Sequence, residues 1–218
     1  MKHAVICFTR VPRAGATKTR LLPVLTPDQC AQLHWCFLKD LAQVYNKLDA
    51  HLFVAYTPDP NWELLRSIFP SAGFIPQTGT DLGEKMYKAI RKVLDLGYES
   101  VILTGADLPM IRPSHLKSGF SILEEKDIAI GPTSDGGFYL IGMKKPCREI
   151  FRVEGYGGRT VFENTVAAAD AVGLTVGTAL SCDDVDTPED LWQLAKVASP
   201  DSFTGLYLNR LRQEGIGL

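Results

Sequence analysis

The chain has 218 residues, of which 45% are hydrophobic and 22% are charged, and its formal net charge is −2. This composition is typical of a globular protein with a large apolar core, and the length predicts one domain over residues 1–218. The balanced charge argues against a dedicated nucleic-acid-binding protein, and no apolar stretch approaches the roughly 18 residues that would cross a membrane. The five cysteines are odd in number and form no CxxC pair, which predicts free thiols and a cytoplasmic location.

Predicted strands and helices alternate along most of the chain. In chain order, apolar periodicity and helix-start signals predict strand 3–9, helix 27–48, strand 51–56, helix 61–68, strand 73–75, helix 81–96, strand 100–105, helix 113–124, strands 127–132 and 137–143, helix 159–170, strand 174–177 and helix 187–197. This order predicts an α/β fold with a mostly parallel sheet and helices on both faces. The tail from about residue 200 is predicted to be peripheral.

The loop after the first predicted strand is basic. Within the stretch FTRVPRAGATKTRLLPVL, residues 8–25, four cations and no acidic residue lie between positions 10 and 20: Arg10, Arg13, Lys18 and Arg20. It is not a Walker loop, because no second glycine comes before Lys18. A solvated surface turn is the structural alternative. Basic side chains and backbone N–H groups also bind phosphate oxygens, and we favour that function here.

Acidic residues follow three other predicted strands: Asp107, Asp135, and the group Asp183, Asp184 and Asp186. In sheets of this kind, ligands bind beyond the carboxyl ends of the strands. Carboxylates hold Mg²⁺, which completes its coordination shell with water and substrate phosphates. One basic loop and three acidic turns at one edge therefore predict a site for a metal–nucleotide complex.

Each acidic position also has a purely structural alternative. Asp107 could cap the helix that starts at Pro113, and Asp135 could belong to the Asp–Gly turn of a hairpin. Asp184 or Asp186 could cap the last predicted helix, which would leave the other free for metal. The scattered histidines and the cysteines are predicted to be structural.

Five motifs, in order, carry a resemblance to a known family: FTRVPRAGATKTRL, QTGTDLGEKM, LTGADLP, GPTSDGGFYLIG and DVDTPEDL. They resemble a family of bacterial transferases with the GT-A nucleotide-diphospho-sugar transferase fold. That family is similar to the molybdenum-cofactor and phospholactate guanylyltransferases. The resemblance spans residues 3 to about 197 and implies a single-domain three-layer sandwich around a mostly parallel sheet.

The resemblance also implies roles for individual residues. Donor phosphates would be bound by the first loop, at Arg10, Gly15, Lys18, Thr19 and Arg20. The nucleoside pocket would be lined by Gln77, Asp81 and Gly83, and the acceptor side by Asp135, Gly136 and Gly137. Asp107 and Asp186 would hold Mg²⁺ or Mn²⁺, and Asp107, Asp135 and Lys18 would form the catalytic set.

These expectations predict a metal-dependent transferase acting on a nucleotide or nucleotide-sugar and a small-molecule acceptor. We rank a nucleotide-sugar donor first, because a loop with the single Gly15, and with Pro12 lacking an N–H, is a poor cradle for a triphosphate. The alternative is transfer of a nucleoside monophosphate to a phosphorylated acceptor with release of pyrophosphate. A non-catalytic nucleotide-binding regulator is a third possibility, and it would not need a second carboxylate. The sequence leaves the base, the sugar, the acceptor and the oligomeric state open.

Overall fold

The computed structural model describes residues 2–153 and 155–218. In this part of the chain the strands are β1 (His3–Thr9), β2 (His51–Tyr56), β3 (Gly73–Pro76), β4 (Ser100–Gly105), β5 (Ile128–Pro132), β6 (Phe138–Met143) and β7 (Val176–Thr178). The α-helices are α1 (Pro27–Tyr45), α2 (Leu82–Asp95), α3 (Pro113–Glu125), α4 (Val161–Ala171), α5 (Pro188–Val197) and α6 (Phe203–Gln213). Short 3₁₀-helices cover Thr19–Leu21, Trp62–Ser67 and Glu149–Phe151.

All these strands belong to one sheet with the order β3-β2-β1-β4-β6-β5-β7. Strand β6 runs antiparallel to β4 and β5, and every other neighbouring pair is parallel. The parallel strands therefore end at one edge of the sheet, where β6 begins. The predicted α/β fold with a mostly parallel sheet is confirmed.

Helices cover both faces of the sheet. Successive side chains of a strand point to opposite faces, so Val5 and Cys7 pack with α1 and α3, whereas Ala4 and Ile6 pack with α2 and α4. The buried residues of β1 thus contribute to two separate apolar layers. This arrangement is the predicted three-layer sandwich.

The predicted helix starts agree with the observed caps. The Thr26 side chain accepts from the Gln29 N–H while Gln29 Oε1 accepts from the Thr26 N–H, which forms a capping box. Asp81 caps α2, and Thr187 caps α5. One predicted helix differs in type, since residues 61–68 contain the 3₁₀-helix Trp62–Ser67.

The prediction of a peripheral tail after residue 200 is wrong. Helix α6 packs on α1, and its residues Leu208 and Leu211 are buried in a third apolar cluster. The carboxylate of Asp40, on α1, accepts from the N–H groups of Phe203 and Thr204, both at 2.9 Å. A buried acid on α1 thus anchors the first turn of α6, where a negative charge is stabilising.

The cysteines of the described chain are free thiols, as predicted. No helix within residues 2–153 and 155–218 is both long and apolar enough to cross a membrane.

Candidate active site

The basic loop and the acidic turns meet at the carboxyl edge of the sheet. Lys18 lies at the centre of this meeting point. Its Nζ donates to the Val185 carbonyl at 2.6 Å and to Asp186 Oδ1 at 2.9 Å, and it lies 2.6 Å from Asp107 Oδ1. The predicted proximity of the loop after β1, the turn after β4 and the loop before α5 is therefore observed.

The four cations of the basic loop have different partners. Arg20 donates to Asp186 Oδ2 at 3.2 Å and is largely exposed. Arg10 donates to the Ala16 carbonyl of its own loop, and Arg13 pairs with Asp59 at 3.4 Å. Only part of the positive charge is thus directed at the acidic turns, namely Lys18 and Arg20.

Lys18 differs from the expected phosphate ligand. Its side chain is only 2% exposed and its ammonium group contacts two carboxylates. Its backbone lies in the left-handed region, with φ 53° and ψ 38°, which is uncommon for a residue with a side chain. Gly15, at φ 73°, forms the preceding turn. The loop therefore turns the lysine inward, toward the position that the sequence assigned to a metal.

Sequence reasoning missed His34, which it grouped with the structural histidines. This buried α1 residue places Nδ1 3.3 Å from Asp107 Oδ1 and Nε2 3.1 Å from Thr9 Oγ1. One feature of the sequence could have indicated it: His34 lies four residues after Cys30 and three before Phe37, which places it on the buried face of α1. A polar side chain on such a stripe needs a partner. Here it lies against the site acid Asp107.

Asp107 is held as an anion. Burial raises its pKa, but the Lys18 and His34 side chains outweigh burial and keep the pKa well below its usual range. Its Oδ1 atom is buried and has no partner with good hydrogen-bond geometry, despite the short distances to both side chains. Asp107 does not cap α3, whose N-cap is Arg112. The structural alternative for Asp107 is therefore wrong.

Asp184 lies beside the same anions. Burial and the neighbouring Asp186 carboxylate raise the pKa of Asp184 to about 6, and Asp107 and Asp135 add to this, while Lys18 opposes it. Neither Asp184 nor Asp186 caps α5, because Thr187 does so with Asp190. Both acids of this loop are thus free of the capping role considered for them.

The β5–β6 turn uses Asp135 structurally. Its Oδ1 accepts from the Gly137 N–H at 3.0 Å and from the Thr133 hydroxyl. Gly136 has φ 89°, and a Cβ there would lie 1.9 Å from the Arg159 carbonyl, so only glycine fits. The hairpin alternative for Asp135 is therefore correct. Asp135 and Gly137 nevertheless also line a cleft at this edge of the sheet.

That cleft and a second, adjoining cavity meet at the acidic turns. The cleft, of about 370 Å³, has an acidic side and an apolar side. Its acids are Asp107, Asp135, Asp184 and Asp186, and its apolar wall includes Phe8, Leu82, Met86, Phe138 and Tyr156. A smaller cavity of about 240 Å³ is lined by Arg10, Thr17, Lys18, Thr19, Arg20, His34, Asp107 and Asp186. The two cavities share Arg20, Asp107 and Asp186, so a ligand with phosphates and an apolar end can extend through both.

The predicted nucleoside residues are not brought into the acidic cluster. Gln77 is buried, and its amide group donates to the Thr9 and Ala55 carbonyls. Asp81 accepts from the Glu84 N–H as the cap of α2. A Cβ at Gly83 would lie 2.2 Å from the Phe151 carbonyl oxygen and 2.9 Å from the Tyr156 hydroxyl oxygen, so glycine leaves room for both groups. These three residues shape the wall, while their neighbours Leu82 and Met86 line it.

A further cavity of about 480 Å³ lies at the opposite edge, where β2 and β3 begin. Tyr45, His51, Phe69 and Tyr98 are among its lining residues. No Asp, Glu, Lys or Arg of the described chain lines it. It therefore lacks the charged groups that phosphate chemistry needs.

A divalent ion fits the carboxylate geometry. Asp107 Oδ1 and Asp186 Oδ1 both lie within 2.9 Å of one cationic atom, Lys18 Nζ, so they converge on a single cation position. The described residues contain no group of three His, Cys, Asp or Glu side chains arranged for a metal. Mg²⁺ needs only one or two protein carboxylates when phosphates supply the rest. Asp107 and Asp186 would supply these two carboxylates, and their role as metal ligands stays a prediction.

Comparison with known proteins places the chain in a family. The family model described as "Uncharacterized protein conserved in bacteria (DUF2064)" matches residues 40–157, which is more than half of the chain. The chain belongs to the DUF2064 family. This DUF2064 protein also superposes on a solved structure from Desulfovibrio desulfuricans G20 that is named as a nucleotide-diphospho-sugar transferase. The TM-score is 0.90, the identity is 33%, and the match covers 98% of this chain and 96% of the other. The predicted family and fold are confirmed.

Two relatives have named activities. The DUF2064 chain is 32% identical to the 2-phospho-L-lactate guanylyltransferase of Methanosarcina barkeri, over 84% of this chain and 82% of the relative. It is 28% identical to the phosphoenolpyruvate guanylyltransferase of Sphaerobacter thermophilus, over 87% and 92%. The predicted enzyme class, a glycosyl- or nucleotidyltransferase, is confirmed. The relatives favour the nucleotidyl alternative over the nucleotide-sugar donor that sequence reasoning ranked first.

Proposed function

We propose that the protein is a nucleotidyltransferase that moves a nucleoside monophosphate from a triphosphate, with GTP the first candidate, to a phosphorylated small molecule. An oxygen of the acceptor phosphate attacks the α-phosphorus, the bond to the β-phosphate breaks, and pyrophosphate leaves. The observation that carries this proposal is the convergence of Asp107 and Asp186 on one cation position beside a cavity lined by basic groups. The guanylyltransferase relatives support the choice of reaction and base.

Within this proposal, Asp107 and Asp186 hold Mg²⁺ or Mn²⁺, and before the metal binds Lys18 and His34 keep the pKa of Asp107 low, so that its carboxylate is ready to bind. When bound, a divalent ion neutralises the charge that develops on the phosphates. Arg20, which is exposed beside Asp186, binds the phosphates from the open side of the cavity. Catalysis is then mainly positioning and electrostatic stabilisation.

The two sides of the cleft suit the two ends of the reactants. We assign the nucleoside to the apolar side at Leu82, Met86 and Tyr156, and the acceptor to the side of Asp135 and Gly137. Gln77, whose amide group already donates to two backbone carbonyls, supports this wall and does not read the base. The non-catalytic regulator is disfavoured because such a protein needs no second carboxylate.

A thermal-shift series with Mn²⁺ tests the donor class. A ligand at about 100 times its Kd stabilises a protein by roughly 2.7 kcal/mol, so the best donor gives the largest rise in melting temperature. We expect GTP to exceed GDP and GDP-sugars. Arg20→Met should reduce the GTP shift, whereas Arg91→Met, an exposed arginine on α2, should leave it unchanged. A larger shift with a GDP-sugar than with any triphosphate would contradict the proposal and favour a nucleotide-sugar donor.

A further inference from the structure

We propose that Lys18 is a tethered cation that competes with the divalent metal: it occupies the position between Asp107 and Asp186 in the nucleotide-free protein and leaves it when a metal–nucleotide complex binds. The nucleotide half of this inference rests on the proposed function. The competition with metal does not.

The ammonium group of Lys18 is held by three oxygen atoms of the protein. Such a group has three N–H donors. Nζ of Lys18 has three oxygen atoms within 2.9 Å, from Val185, Asp186 and Asp107. Two of these contacts, to Val185 and Asp186, are hydrogen bonds, and the third is an ion pair with Asp107. In this arrangement the charge of Lys18 is directed at the two carboxylates and not at a phosphate.

The position between the two carboxylates admits one cation. The same two oxygens, Asp107 Oδ1 and Asp186 Oδ1, would ligate the metal. An ammonium group and a divalent ion sharing both oxygens would be like charges at close range; the lysine side chain is only 2% exposed, although the Asp107 and Asp186 side chains are 37% and 35% exposed. Such repulsion grows as the two charges approach and as the site loses water. One of the two cations must leave.

The smaller cavity offers the Lys18 side chain a second position. Its left-handed backbone conformation, φ 53°, is disfavoured for a residue with a Cβ, so the ion pairs hold it against local strain. Lys18 also lines the smaller cavity together with Arg10 and Arg20. A phosphate bound there would accept a charge-assisted hydrogen bond from the released ammonium group. Metal and nucleotide would then promote each other's binding, because each removes an obstacle to the other.

Titration of the nucleotide-free protein with Mn²⁺, followed by the electron paramagnetic resonance signal of free Mn²⁺, tests the competition. Lys18→Met keeps the apolar stem and removes the charge, and we expect it to bind Mn²⁺ at least ten-fold more tightly than the wild type. Arg91→Met is the matched control. Because Arg91 is exposed on α2 and pairs with Asp95, not with Asp107 or Asp186, its removal should change the affinity less than three-fold.

Equal or weaker Mn²⁺ binding by Lys18→Met overturns the inference, and so does the absence of Mn²⁺ binding in both proteins. Melting temperatures establish that the variants are folded. Lys18→Gln, which keeps N–H donors for Val185, is the second variant should the first not fold, and the same tightening is expected. The titration contains no nucleotide, so a wrong donor assignment would appear in the thermal-shift series and leave this result intact.

Discussion

Replacing Asp107 by asparagine is expected to lower the rate of nucleotidyl transfer about a hundred-fold or more while the fold is retained. Asparagine preserves the size of the side chain but removes the charge that faces Lys18 and His34. A metal ligand and its electrostatic stabilisation of the transition state commonly account for several kcal/mol, and each 1.4 kcal/mol is about ten-fold in rate. The loss is measured as pyrophosphate release from GTP in the presence of Mg²⁺ and a phosphorylated acceptor.

The control for this variant is Asp170→Asn, which removes an exposed carboxylate near the end of α4. It should keep the wild-type rate. An Asp107→Asn enzyme that retains more than about a tenth of the wild-type rate would show that Asp107 is not part of the reaction site.

Truncation of Phe37 is expected to cause the largest loss of stability. This α1 residue is fully buried in the cluster that joins the end of the basic loop with α1, α5 and α6. Phe→Ala changes in cores typically cost about 3–5 kcal/mol, which is a large fraction of the roughly 5–15 kcal/mol of an ordinary domain. The ring also lies beneath Lys18, with Nζ 5.5 Å from its centre. Phe37→Ala should therefore lower the stability of the fold and also remove a packing contact of Lys18.

Urea unfolding measures this loss. Phe203→Ala is the matched control, because Phe203 is 38% exposed on α6 and its truncation should cost only about 1 kcal/mol. A Phe37→Ala protein that loses no more free energy of unfolding than Phe203→Ala would contradict the assignment of this cluster as part of the core.

Much of the fold could be predicted because local signals and tertiary packing agree. The run HAVICFT has no Asp, Glu, Lys or Arg and is buried in the centre of the sheet as β1. Thr26 and Thr187, each followed by proline, mark helix starts whose caps are observed. Helix α6 was not predicted from the sequence, because its apolar residues are buried by packing on α1. The carboxylate that binds its first turn, Asp40, lies 163 residues away in the chain.

The sequence predicted which loops form the candidate site, but it did not predict the contacts between their side chains. The residues directly after each predicted strand located the acids, since parallel strands end at one edge. The Lys18 side chain points into the protein because its backbone is left-handed, and no local sequence pattern predicts that conformation at a residue other than glycine. The contact of His34 with Asp107 depends on how α1 packs against the ends of β1 and β4. The orientation of Lys18 and the His34–Asp107 contact both result from packing between distant segments, so local sequence patterns do not predict them.

Exchange of labelled pyrophosphate into GTP tests the proposed nucleotidyl transfer most directly. The purified protein is incubated with Mg²⁺, GTP and labelled pyrophosphate, with and without 2-phospho-L-lactate or phosphoenolpyruvate, the acceptors named in its relatives. We predict label in GTP that depends on Mg²⁺ and on a phosphorylated acceptor, and that is lost in Asp107→Asn. Absence of exchange with every triphosphate and phosphorylated acceptor, together with release of a nucleoside diphosphate from a nucleotide-sugar, would contradict it.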